Sequence, residues 1–78
     1  MIRVLLFGIL ATKTGTKEIE LDVKTPVSLE ALLEELRKRL PSLPEGEFLF
    51  AVNEEHASKE TTVNDGDTVA IMPPFSGG

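Results

Sequence analysis

The chain of 78 residues, of which 41% are hydrophobic and 27% charged, has the length and balance of one small globular domain of the soluble class. It contains no cysteine and a single histidine, which excludes a disulfide framework, a thiolate zinc site and a cysteine nucleophile, and it has no cluster of metal ligands. Its net charge of −5 disfavours nucleic acid as a partner, and no apolar stretch is long enough to cross a membrane, so we expect a cytoplasmic protein.

The first third of the chain predicts a β-hairpin. Residues 2–10 are almost all apolar, which is typical of a central strand covered on both faces. Residues 12–17 contain one glycine and three threonines and predict a turn. Residues 18–23 alternate between acidic and apolar side chains, which predicts a second strand with its apolar residues facing the core.

An amphipathic helix follows this hairpin. Ser28 is a good N-cap, and Pro41 ends the helix because its ring cannot be accommodated in a helix interior. Between these two residues, leucines recur at helical spacing and form one stripe that we expect to lie against the core. The stripe comprises Leu29, Leu32, Leu33, Leu36 and Leu40.

The second half of the chain predicts three more strands. Residues 48–53 are rich in apolar and aromatic side chains and predict a third strand, and a short fourth strand is expected around residues 57–59. Residues 64–67 read Asn-Asp-Gly-Asp, which is a strong turn signal. Residues 68–72 predict the last strand.

The order of these elements predicts an α+β fold, in which one helix covers the apolar face of one sheet. Pro73 and Pro74 end the last strand, because proline has no N–H for a strand ladder. We therefore expect a domain formed by residues 1–74 and a flexible C-terminal tail formed by residues 75–78.

The charged residues outside this pattern have structural explanations. His56 lies in a polar stretch without a second nitrogen or sulfur ligand, so we expect a solvated loop histidine. Asp65 and Asp67 flank a glycine and are expected to shape a turn. Residues 37–39 read Arg-Lys-Arg and suit the negative end of the helix dipole.

Two further pairs of residues are assigned from their positions, and one of these pairs has a competing interpretation. Asn53 and Glu54 follow the third strand and are expected to shape its turn. Phe7 and Phe50 are expected in the core, and the alternative is that either of them joins an apolar patch that faces a partner near the tail.

Three segments carry a resemblance to a known family. They are Val-Asn-Glu at residues 52–54, Asp-Gly-Asp at residues 65–67, and Pro-Pro-Phe-Ser-Gly-Gly at residues 73–78. With them the whole chain resembles the ubiquitin-like β-grasp proteins, and within these the small subunits of molybdopterin synthase. The chain departs from many members at residues 11–13, where Ala-Thr-Lys stands in place of an Arg-Glu pair.

The resemblance implies a mixed sheet of four to five strands with one main helix packed on one face. The first and last strands are then parallel and adjacent at the centre of the sheet. The tail projects from the end of the last strand.

The resemblance also implies a chemical role for the C-terminal carboxylate of Gly78. An E1-like adenylyltransferase uses ATP to adenylate it, and sulfur then replaces AMP to give a thiocarboxylate, so that Gly78 becomes a 1-thioglycine. The thiocarboxylate donates its sulfur to cyclic pyranopterin monophosphate. The catalytic groups are expected on the large subunit of molybdopterin synthase, in a heterotetramer, and no cofactor is expected on this chain.

The residues before Gly78 suit delivery of such a group. Two prolines stiffen the base of the tail, a phenylalanine can anchor it in a partner's pocket, and glycine fits a narrow channel. The residues expected to bind the partner are Pro73, Pro74, Phe75, Ser76, Gly77 and Phe7.

Three other functions remain open on the sequence. A protein modifier would join Gly78 to a lysine of another protein. A carrier for thiamine synthesis or another sulfur pathway would deliver sulfur to a different acceptor. An interaction domain with an inert tail would be indifferent to the loss of Gly78.

Overall fold

The computed structural model describes residues 1–74, which form a mixed β-sheet with helices alongside it. In chain order the elements are β1 (Ile2–Leu6), α1 (Ile9–Thr14), β2 (Glu18–Leu21), β3 (Val27–Ser28), α2 (Leu29–Arg39), β4 (Leu49–Val52), β5 (Glu55–Ala57), β6 (Thr62–Val63) and β7 (Thr68–Met72). None of the helices within residues 1–74 has the length and apolar character needed to cross a bilayer.

Five strands form the main sheet in the order β2-β1-β7-β4-β5, and β3 pairs with β6 in a separate two-stranded sheet. At the centre, β1 and β7 run parallel, with Val4 opposite Val69 and Leu6 opposite Ile71. The other neighbours in the main sheet are antiparallel. The predicted mixed sheet with its first and last strands side by side is confirmed.

The segment after β1 differs from the prediction. The strand expected over residues 2–10 ends at Leu6, and the turn expected over residues 12–17 is largely the helix α1. Gly8 breaks the strand with φ of 59°, and Leu10 then turns into the core, where it is buried. An apolar run fits a buried strand or a buried helix equally well, which explains the error.

The helix α2 begins and ends where the sequence predicts. The Ser28 hydroxyl accepts a hydrogen bond of 3.1 Å from the backbone N–H of Ala31, so it caps the first turn. Four leucines of the predicted stripe are buried against the sheet, and Leu40 packs at its margin. Leu36 has 0% of its surface exposed and lies in the middle of this contact.

The loop after α2 is held by a residue that the sequence placed at a solvated helix end. The Arg37 guanidinium donates to the carbonyl oxygens of Leu43 and Pro44, at 3.4 and 3.3 Å. It also lies 5.8 Å from the centre of the Phe48 ring, within the range of a cation–π contact. Arg37 therefore fastens the loop to the helix, because its guanidinium reaches back over the chain.

The hairpin between β4 and β5 places the fourth strand earlier than residues 57–59. Asn53 and Glu54 both have positive φ, 51° and 70°, and they form a two-residue connection between Val52 and Glu55. Such a tight turn matches the twist of the strands, so β5 begins directly after it. The expected turn at Asn53 and Glu54 is confirmed.

Asp67 ties this hairpin to the turn before β7. Its carboxylate accepts a 2.8 Å bond from the backbone N–H of Asn64 and a 3.0 Å bond from the Asn53 amide. These two hydrogen bonds hold the pKa of Asp67 below its ordinary value of 3.8, and the bond from Asn64 has the larger effect. Asp65 instead faces the Met1 ammonium and raises the pKa of that amine. Asp67 therefore shapes the turn, as predicted, whereas Asp65 lies in the turn and its side chain ties the turn to the N-terminus.

The bonds to Asp67 predict a loss of stability in acid. Since the folded-state pKa is lowered, ionised Asp67 stabilises the fold above pH 3.8, and this contribution disappears as the pH falls through the folded-state pKa. We expect Asp67→Asn to cost only about 0.5 kcal/mol at neutral pH, because solvent screens these exposed bonds, and much less at a pH below the folded-state pKa. Urea unfolding of the wild-type and Asp67→Asn proteins, at neutral pH and below the folded-state pKa of Asp67, measures the free energy of unfolding. An equal difference between the two proteins at both pH values would contradict the prediction.

Candidate functional site

The base of the predicted tail is the part of the site that the structure describes. β7 ends at Met72, and Pro73 and Pro74 follow it, the first half-buried and the second exposed. The expected contact residues Phe75, Ser76 and Gly77, and Gly78 with its carboxylate, lie outside the described residues.

Pro73 lies against the start of α1. A Cβ atom placed on Gly8 would lie 3.3 Å from Cγ and 3.6 Å from Cδ of the Pro73 ring. Next to this contact, the backbone N–H of Phe7 donates to the Ile71 carbonyl at 3.1 Å and continues the β1–β7 ladder. The sequence placed Phe7, Pro73 and Pro74 at the site, and in the structure Phe7 bonds to Ile71, two residues before Pro73.

Phe7 does not lie in the core, so the main prediction from the sequence is wrong for this residue. It is 46% exposed, whereas Phe50 is buried as predicted. Strand alternation explains the difference, because the even-numbered residues of β1 face α2 and Leu5 and Phe7 face the other side. The alternative interpretation, a partner-facing Phe7, fits this position.

The face of the sheet opposite α2 carries an apolar patch, which we call the open-face patch. Register places Leu5 beside Ala70, Ala70 beside Ala51, and Leu49 beside Met72. Leu49 is 41% exposed. The patch comprises Leu5, Phe7, Leu49, Ala51, Ala70 and Met72. Apolar side chains left uncovered on a sheet face beside the tail base form a surface suited to a protein partner.

Polar groups border the open-face patch on both sides. On β2, Glu18 and Glu20 lie opposite Leu5 and Arg3, and the Arg3 guanidinium pairs with Glu18 at 3.1 Å. On the other side, Asn53 and Glu54 line the same depression as Leu5 and Phe7, with a volume of about 430 Å³. An apolar centre with a polar rim is the usual anatomy of a protein interface.

The sequence did not single out Leu5, Leu49 and Met72 as surface residues. The sequence nevertheless contained a signal for an exposed apolar face. A sheet whose strands are apolar on both faces needs a covering layer on each face, and the sequence predicts only one main helix. The uncovered face could have been found from that mismatch.

His56 lies opposite Ala51 and so borders the open-face patch on the β5 side. It is exposed, as expected, but on the edge strand β5 rather than in a loop. Within residues 1–74, no group of three His, Asp or Glu side chains comes together that could hold a metal ion.

Comparisons with known proteins agree with this geometry. A model of the ThiS family matches residues 4–78. The molybdopterin synthase sulfur carrier subunit of Arabidopsis thaliana is 35% identical, over 99% of this chain and 82% of that protein. The subunit of the same name from Escherichia coli is 34% identical, with 100% of both chains covered.

Solved structures confirm the β-grasp fold. SAMP1 from Haloferax volcanii matches with a TM-score of 0.86 and 25% identity, over 99% of this chain and 98% of that chain. A structure of the complex of subunits 1 and 2 of the molybdopterin-converting factor from Helicobacter pylori matches with a TM-score of 0.68 and 22% identity, over 99% and 97%. The chain therefore belongs to the ThiS family and is a ubiquitin-like β-grasp relative of the molybdopterin synthase sulfur carrier subunits.

Proposed function

We propose that this chain is a sulfur carrier that works as the small subunit of molybdopterin synthase, with the carboxylate of Gly78 as its working group. The observation that carries the proposal is the position of the tail base. The chain leaves β7 beside an uncovered apolar face, so one partner can hold the open-face patch and receive residues 75–78 at the same time. The similarity to sulfur carrier subunits over the whole chain supports the same role.

The proposed chemistry begins with activation, because a carboxylate is a poor acyl donor. A carboxylate oxygen of Gly78 attacks the α-phosphorus of ATP and expels pyrophosphate, which leaves an acyl-adenylate. A donor at the oxidation level of hydrosulfide then attacks the carbonyl carbon. AMP departs, one proton is released, and Gly78 ends in a thiocarboxylate. An E1-like adenylyltransferase supplies the groups for both steps.

Sulfur transfer follows on the large subunit of molybdopterin synthase. The thiocarboxylate sulfur attacks an oxygen-bearing carbon of cyclic pyranopterin monophosphate and forms a carbon–sulfur bond. The carbon–oxygen bond at that carbon breaks, and the oxygen leaves with its electron pair, as the phosphate ester oxygen or, after protonation, as water. Water then cleaves the acyl–sulfur bond, which restores the Gly78 carboxylate and leaves the sulfur on the pterin. A dithiolene needs two such deliveries. The similarity to the complex of subunits 1 and 2 of the molybdopterin-converting factor from Helicobacter pylori supports a large-subunit partner for this chain. We propose that the two subunits form a heterotetramer.

Intact mass spectrometry tests the proposal. The purified chain is incubated with its activating enzyme, ATP and a hydrosulfide-level donor, with a reaction lacking ATP as the control. A gain equal to the replacement of one oxygen by sulfur, seen only with ATP, is the expected result. An unchanged mass with an activating enzyme that has proved competent on another carrier would overturn the proposal.

A protein modifier is the second candidate, because a small archaeal modifier protein has nearly the same fold. In that role the activated Gly78 carbonyl is attacked by a lysine amine instead of sulfur, and an isopeptide bond forms as AMP leaves. The same reaction with added cell extract separates the two functions. High-mass conjugates that yield a Gly-Gly remnant on lysine after digestion would favour the modifier.

Phe7 is expected to dominate docking through the open-face patch. Aromatic side chains at the centre of interfaces carry much of the binding energy, so Phe7→Ala should weaken the Kd for the large subunit by about 10- to 100-fold. Glu34→Ala, on the exposed side of α2, is the control and should change the Kd by less than about twofold. Isothermal titration calorimetry with folded variants measures both. If the Phe7→Ala protein bound the large subunit as tightly as the control, the large subunit would bind at a surface other than the open-face patch.

A further inference from the structure

We infer that Gly8 is a positioning residue, which fixes the direction in which the chain leaves β7 and so where the Gly78 carboxylate can arrive. The inference rests on the proposed function, because it concerns delivery of that carboxylate. It is carried by the contact between Gly8 and Pro73, two residues that are distant in sequence and meet at the tail base.

The backbone at Gly8 has a conformation that glycine alone adopts readily. Its φ of 59° and ψ of −135° are the mirror image of extended backbone. The chain needs this conformation to leave β1 and start α1 within three residues. Any side chain at residue 8 is therefore strained before it meets a neighbour.

Gly8 is also held in place from three directions. Its carbonyl oxygen accepts bonds from the backbone N–H groups of Ala11 and Thr12, at 3.1 and 3.3 Å. Phe7 is bonded to Ile71 of β7, and Leu10 is buried in the core. Gly8 cannot retreat from Pro73 without disturbing the strand ladder or the core.

Pro73 is consequently the group that must move if residue 8 gains a side chain. A Cβ atom at 3.3 Å from the ring is closer than an ordinary van der Waals contact, and the tail base has an exposed side toward which the ring can shift. The ring fixes φ at Pro73, so a displaced ring changes the angle of the following chain. Five residues separate Pro73 from the carboxylate and span at most about 17 Å. A reach this short makes delivery sensitive to the exit angle, since a misplacement of about 1 Å can cost about 100-fold in rate.

Gly15 provides a matched control. It also has a positive φ, 69°, at the other end of α1, but no atom lies within 4 Å of the place where its Cβ would be. Gly8→Ala and Gly15→Ala therefore both strain the backbone of the same helix. Only Gly8→Ala crowds the base of the tail.

The experiment measures steady-state thiocarboxylation of the full chain by its activating enzyme with ATP and hydrosulfide. We expect Gly8→Ala to lower kcat about 10-fold, with KM for the carrier within about twofold, because the substitution leaves the exposed side chains of the domain, to which a partner binds, unchanged. Gly15→Ala should keep kcat within about twofold. Equal kcat values for the two variants would overturn the inference. A wild-type chain that gains no sulfur would instead overturn the proposed function, so the two failures are distinguishable.

Pro73→Ala keeps the inference testable if Gly8→Ala does not fold. Without the ring, φ at residue 73 is no longer fixed, so kcat should fall several-fold while thermal stability falls only slightly. An unchanged kcat would overturn the inference. Where Gly8→Ala does fold, adding it to Pro73→Ala should cause no further loss, because the crowded ring is gone. Independent, multiplying losses in the double variant would show that the two residues do not act through their contact.

Discussion

Deleting Gly78 is expected to abolish sulfur acquisition, with a loss of at least about 100-fold in rate. The shortened chain still ends in glycine, since Gly77 precedes it, so its terminal carboxylate has the same intrinsic reactivity. What it loses is about 3.4 Å of reach, the length of one extended residue. An activating site that holds ATP at a fixed position cannot follow the carboxylate over that distance.

Gly78→Ala completes this test, because it keeps the length and adds one methyl group beside the carboxylate. We expect an intermediate loss from the narrower fit in a channel shaped for glycine. Intact mass after a timed reaction measures both variants, and urea unfolding serves as the control. Full thiocarboxylation of the deleted chain would show that reach is unimportant and that residues 75–78 are not delivered to a fixed site.

Leu36→Ala is expected to destabilise the domain by about 2–5 kcal/mol. Leu36 is fully buried where α2 meets the sheet, and its removal leaves a cavity that the surrounding strands cannot close. For a chain of 78 residues the total stability is roughly 4–12 kcal/mol, so a large part of it would be lost.

Leu49→Ala is the matched control for Leu36→Ala. It removes the same atoms from a side chain that is 41% exposed on the open face, and it should cost less than about 1 kcal/mol. Urea unfolding followed by circular dichroism measures both free energies. Similar costs for the two substitutions would contradict the assignment of the core to the α2 side of the sheet.

The parts of the fold that were predicted from sequence have local causes. α2 has a capping serine at one end, a proline after the other, and leucines at helical spacing between them. β7 has a turn signal before it and two prolines after it, and its predicted bounds at residues 68–72 match the structure. In such segments, residues that are close in sequence are enough to predict the local structure.

The parts that were not predicted depend on contacts between distant segments. The apolar run at residues 2–10 does not reveal where the strand stops, because the break depends on the backbone of Gly8. The alternation of residues along β1 assigns side chains to two opposite faces of the sheet, but it does not reveal which face α2 covers. The sequence therefore could not show whether Phe7 is exposed. The contact of Gly8 with Pro73 has no sequence signal at all, because it exists only when β1 lies beside β7.

The parallel pairing of the first and last strands sets the time at which this protein can fold. β1 leaves the ribosome well before its central partner β7, so the main sheet closes only after residue 72 has been made. A nascent chain stopped before residue 68 would expose an apolar strand with an open edge, which invites aggregation.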